Sequence, residues 1–134
     1  MKKKSKVSLL FVFAALYDGL LGALFLFAGP SVFQWTNVTP PNHFGYVQFP
    51  AALLIVFTLM FLTIAINPST NRNLIPFGML FKASYCGIVF FYWFTTGIPD
   101  MWKPFAVFDL IFLIFFGWAY IILRESARSE KYIN

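Results

Sequence analysis

Four apolar stretches, at about residues 7–28, 47–66, 75–96 and 105–123, dominate the chain, and short polar or proline-rich segments separate them. Each approaches or exceeds the ~20 residues that a helix needs to cross ~30 Å of hydrocarbon. The pattern predicts four transmembrane helices.

The breaks between them have turn chemistry. "GPSVFQWTNVTPPNHFGYVQFP", residues 29–50, carries no Lys, Arg, Asp or Glu. Its first part, 29–46, reads as an external segment lying along the membrane surface, with Val32, Phe33 and Trp35 in a short interfacial helix or turn. Pro40 and Pro41 end that turn, and Pro50 falls in the first turn of the second span or kinks its start. "NPSTNRN", 67–73, is a compact turn in which Pro68 stops the second span and Asn, Ser and Thr are available to cap the third. That turn makes spans two and three an antiparallel hairpin. "GIPDMWKPF", 97–105, closes a second hairpin, with a Trp and a Lys at the interface.

Composition agrees with this reading. The 134 residues are 60% hydrophobic and 11% charged, where globular chains average about 25% charged. One domain, 1–134, accounts for the whole chain. The basic head Met1-Lys2-Lys3-Lys4-Ser5-Lys6 followed by an apolar body has the look of a signal peptide, with cleavage near Gly29 as the alternative, but the body is too long and a further span follows it. The expectation is a retained first helix.

The net charge of +5 points to topology rather than to nucleic acid. Lys2, Lys3, Lys4, Lys6, Arg72, Arg124, Arg128 and Lys131 all fall on one side of four crossings, and Lys103 falls on the other. The positive-inside rule then places both termini in the cytoplasm. The fold class is all-α: an integral membrane four-helix bundle of two antiparallel hairpins. Cys86, the single cysteine, reads as a small packing residue inside the third span.

Three ionisable residues interrupt the spans: Asp18, Lys82 and Asp109. Even permissive insertion scales put such a residue at about 2.5 to 3.5 kcal/mol near the bilayer centre, so each calls for a partner or a function. At ~1.5 Å per residue, Asp18 lies roughly 16 Å and Lys82 roughly 10 Å from the cytoplasmic edge, with Asp109 roughly 6 Å from the opposite one. This arithmetic pairs Asp18 with Lys82 and leaves Asp109 one step outward. Ala15, Gly22 and Gly29 share the face of Asp18; Gly78, Tyr85 and Tyr92 that of Lys82; and Phe116 and Tyr120 that of Asp109. Asp18, Lys82, Tyr85 and Asp109 form the candidate polar seam, in which Tyr hydroxyls complete the hydrogen bonding.

Three readings of the seam stand: a register-fixing ion pair, the lining of a small polar cavity, and a Lys82 that snorkels to the surface without a partner. His43, beside Phe44 and Tyr46, is the candidate external gate, with a plain surface-loop histidine as its alternative. No metal-ligand pair, nucleophile elbow, phosphate loop or dinucleotide fingerprint occurs, and no cofactor is expected.

The residues "YDGLLGALFLFAGPSVF", 17–33, and "NRNLIPFGMLFKASY", 71–85, set in this four-span layout, resemble the DoxX-like group of small bacterial membrane proteins. The resemblance implies a bacterial inner-membrane location. Some members of that group are associated with quinone-linked sulfur oxidation, but no motif brings catalytic residues with it. Two functions compete: an accessory or scaffold subunit whose partners are lipids, its own copies or a larger membrane complex, and a proton-coupled small-solute carrier or quinone- or lipid-handling enzyme subunit.

Overall fold

The computed structural model describes residues 2–133, with side chains described as far as Lys131. Its regular elements are helical: α1 (Lys2–Trp35), α2 (Gly45–Ile66), α3 (Ile75–Phe94) and α4 (Lys103–Ile133), with single 3-10 turns at Arg72–Leu74 and Asp100–Trp102 leading into α3 and α4. All four helices are long and apolar enough to span a membrane. This is the build of a multi-pass membrane protein.

The helices run longer than hydropathy alone indicates. Past residue 28, α1 continues across a break as a short helical segment to Trp35, as expected for 32–35, but Val32 and Phe33 in it are buried rather than turned to the membrane surface. The continuation is bent at Ala28, whose φ of −126° and ψ of 20° leave the helical region. Pro30 supplies the cause: its ring lacks the N–H that would bond Leu26 and crowds that carbonyl. α4 likewise outlasts its apolar stretch, because "RESARSEKYI", 124–133, is polar yet rich in helix formers. Its Glu130 meets Lys4 of α1 at 3.4 Å, which brings both ends of the chain together.

Pro50 sits in the second turn of α2, which begins at Gly45. The turn after α2 also differs from expectation. No side chain caps α3; the 3-10 turn and Pro76 start it instead. Asn71 points the other way, and its amide donates to the carbonyls of Thr63 and Asn67, closing the C-terminus of α2.

Two hairpins form, but their partners are α1 with α2 and α3 with α4. Spans two and three, adjacent through the tightest loop, do not pair closely. Side-chain size explains the choice. On α1, Ala15, Gly19 and Gly22 let the α2 backbone approach: a Cβ added at Gly22 would lie 2.9 Å from the carbonyl oxygen of Ala51. Hydrogen bonds tie this seam, from Ser8 to the Ala65 carbonyl and from Thr58 to the Ala15 carbonyl. Between α2 and α3 stand large rings, with Phe57 and Phe81 stacked at 3.8 Å, and these hold the backbones apart.

The interior has two apolar zones. Near the chain ends, Val7, Phe11, Phe61, Ile64, Ile75, Phe116 and Leu123 pack into a closed core. Near the interhelical connections, Phe25, Val32, Phe33 and Ala51 form a second cluster with Trp102 and Phe105 against it. The ionisable residues lie between the two.

Gly22→Leu is expected to destabilise the protein by about 1–3 kcal/mol through overpacking, because its side chain has no space between α1 and α2. Gly87→Ala is the control, since a Cβ there meets nothing within 4 Å. Thermal unfolding in detergent checks both; equal melting temperatures would show that the α1 and α2 backbones are not in close approach.

Candidate functional site

α1 carries Asp18 on its small-residue face, α3 carries Lys82 one turn after Gly78, and α4 carries Asp109 two turns after its start. All three side chains turn inward. Asp18 and Lys82 are 0% exposed and Asp109 is 7% exposed, the buried charged groups among the described residues.

Lys82 joins both carboxylates. Its Nζ donates to Asp18 Oδ1 at 2.6 Å and to Asp109 Oδ1 at 2.9 Å. The depth count set Asp109 a step too far outward for such a contact. It let the lysine stem climb to Asp18 and no farther, whereas the ammonium reaches Asp109 as well. The partnerless, snorkelling lysine is excluded by the same two bonds.

An aromatic collar surrounds the ammonium. Nζ lies 5.3 Å from the ring centre of Tyr17, 5.4 Å from that of Phe112, 5.5 Å from that of Phe81 and 5.8 Å from that of Phe61. Ring faces attract cations, most strongly where water is excluded, so the collar adds to the attraction that keeps the ammonium in place. Tyr17 and Phe81 each directly precede a member of the ion cluster in sequence. That adjacency was the one available signal, and it was obscured by the richness of the chain in aromatic residues.

The hydrogen bonding is incomplete on one side. Asp18 Oδ2 and the Tyr17 hydroxyl are buried without a protein partner. Tyr85 does not complete the seam as expected: its hydroxyl donates to the Trp102 carbonyl at 3.0 Å. Tyr92 is 45% exposed and stands off the face altogether, because ten residues from Lys82 is not a whole number of turns. Tyr120 is half-buried and packs against the closed core, away from the carboxylates. Cys86 is buried, its thiol 3.3 Å from the Ala106 carbonyl.

Above the ion cluster lies a chamber of about 580 Å³. Asp18, Asp109 and Tyr85 line it at the level of the cluster; Leu21, Phe25, Leu54, Phe81, Val89 and Phe105 form its walls; and Val38, Pro41, Ile98 and Pro99 border it where the helices are connected. The chamber was not legible in the sequence, since its walls are ordinary apolar residues of four helices. Its existence depends on the bulky rings that keep the two hairpins apart.

His43 is exposed and does not line this chamber. Its Nδ1 accepts the Gly45 backbone N–H at 2.9 Å, which ties it to the first turn of α2. At the same end, Lys103 and Asp100 pair at 2.5 Å on the surface. Neither His43 nor Lys103 approaches the buried carboxylates.

Comparison of the chain with protein-family models, curated proteins and solved structures finds no match.

Lys82→Met is expected to lower stability by about 3–5 kcal/mol, because it leaves two carboxylates buried without their counter-charge. The triple variant Asp18→Asn, Lys82→Met, Asp109→Asn removes every charge and is expected to recover most of that loss. Thermal melts of the detergent-solubilised proteins check this; a Lys82→Met protein that melts with the wild type would show that the ion cluster holds nothing together.

Proposed function

We propose that this chain is a membrane-embedded binding protein, a small-solute carrier in its simplest form, that takes an apolar molecule into the chamber between its two hairpins. The observation that carries the reading is the chamber itself. Its volume of about 580 Å³ suits a compact organic molecule. Its walls are apolar, and its two carboxylates, Asp18 and Asp109, stand together at one end with Tyr85, while Thr39 and Tyr46 lie at the outer part. That arrangement orients a ligand: the apolar body contacts the walls and one hydrogen-bonding group reaches the carboxylates.

Lys82 has a supporting role in this reading. It fixes the positions of Asp18 and Asp109 from behind, and it is not among the residues that line the chamber. A scaffold subunit with a charged staple explains the ion cluster equally well, but it gives no reason for an adjacent cavity. Binding accounts for both.

Sidedness follows from charge. Eight of the ten basic residues stand at the end where Lys4 meets Glu130, all but Lys82 and Lys103. With that end in the cytoplasm, the chamber opens toward the opposite face. A bacterial inner membrane and a DoxX-like layout belong to the same proposal, as does contact of the outward apolar faces with lipids or further copies of the chain.

The test is direct binding to the full chain in lipid nanodiscs. 2-Naphthylethanol, a neutral molecule of suitable size, is expected to bind at one site per chain, above the partition into empty nanodiscs. Leu54→Trp, which fills the chamber from α2, is expected to weaken that binding at least tenfold while the melting temperature stays within a few degrees. Equal binding by both proteins would mean that the chamber is not the site.

A further inference from the structure

The charges around the chamber do not balance, and the imbalance specifies a ligand. Two carboxylates share one ammonium, and each is buried. Among the described residues that line the chamber there is no Lys, Arg or His, so the face presented to a guest is negative. A net negative charge surrounded by hydrocarbon is costly, and one further positive charge completes the site. A proton is the smallest way to supply it. An ammonium group is the other.

We infer that the chamber takes an apolar molecule bearing one protonated amine, and that this amine exchanges with a proton held between Asp18 and Asp109. Three observations bear on the amine. Asp18 is fully buried, lines the chamber, and has an oxygen, Oδ2, that no protein donor reaches. An N–H of the guest satisfies it. Asp109 keeps 10% of its side chain exposed and lines the same floor, so both carboxylates are within the ambit of one guest group. The walls are rich in aromatic faces, with Phe25 stacked on Trp102 at 5.5 Å and edge-on to Phe105 at 6.3 Å. Such faces favour a cation over a neutral molecule of equal size.

The proton balance is simple. Chain carrying one exchangeable proton, plus one ammonium guest, gives the chain with its guest and one free proton. Other titratable groups near the floor are engaged differently or lack a partner. α1 contributes Tyr17, whose hydroxyl is unpartnered; α3 contributes Tyr85, bonded to the Trp102 carbonyl, and Cys86, beside the Ala106 carbonyl. α2 brings Tyr46 to the chamber's outer part, and α4 brings Asp109 alone. The exchange therefore belongs to the two carboxylates and Lys82.

This inference rests on the chamber reading above, and a matched pair of guests separates the two. 2-Naphthylethylamine and 2-naphthylethanol share a skeleton and differ in the charged group. With the full chain in nanodiscs, the amine is expected to bind at least tenfold more tightly than the alcohol. It is expected to release one proton per molecule bound, read with a pH indicator in weak buffer, while the alcohol releases none. Amine affinity is expected to rise by about tenfold per pH unit over the range in which the site is protonated, with alcohol affinity flat. Asp109→Asn leaves one carboxylate against one ammonium, and it is expected to abolish proton release and bring the two affinities together.

Equal binding of the two guests without proton release overturns the inference and leaves the chamber reading standing. Binding of neither guest overturns both. Tighter binding of the amine with no proton released overturns the exchange. Proton release by the wild-type chain is decisive even if Asp109→Asn does not fold.

Discussion

The structure depends on a single ammonium shared by two carboxylates in a medium that solvates none of them. Lys82 reaches Asp18 on α1 and Asp109 on α4, so one side chain of α3 fastens three helices at one level. In water such contacts contribute little, because the partners are equally well solvated apart. In hydrocarbon each ion is costly alone, and the separated state is the one disfavoured. The cluster thus acts chiefly by excluding arrangements in which its members are apart. Lipid-facing apolar side chains supply no comparable preference, since lipid tails are as apolar as the helices.

Packing then distributes the work unevenly. The α1 and α2 pair is close, dry and made of small residues and backbone-directed hydroxyls. The contact of α2 with α3 is made by rings, whose bulk leaves room between the hairpins. One interface is built for proximity and the other for separation. The chamber is the geometric result of joining them, and the ion cluster stands where the gap ends and the closed core begins.

Much of this was legible in the sequence. Four spans, their order and the inward face of Asp18 and Lys82 follow from hydropathy and helical spacing, because the cost of a charge in hydrocarbon leaves few alternatives. Asp109's place on the same ammonium was not legible, since span edges read from hydropathy set it a step beyond the lysine stem's reach. The pairing of α3 with α4 was legible in the turn at 97–105, whereas that of α1 with α2 was not: the compact turn at 67–73 suggested α2 with α3, while the close approach at Gly22 decided for α1 with α2. Tyr17, a member of the collar with a buried unpartnered hydroxyl, gave no signal beyond standing next to Asp18. His43, conspicuous in the sequence, is exposed, and its Nδ1 accepts the Gly45 N–H at the start of α2.

The closed core near the chain ends has a consequence for traffic. Phe11 and Phe116 stack at 4.6 Å, and Phe61 meets Phe116 edge-on at 5.2 Å, so three helices each contribute a ring to one plug. Below the carboxylates the bundle is thus a stopper, and the chamber is a blind alley. Passage across the membrane requires these rings to part, and they pack directly beneath the ion cluster, with Phe61 also in its collar. Phe61 thus belongs both to the closed core and to the collar of Lys82, so the plug and the ion cluster share a side chain.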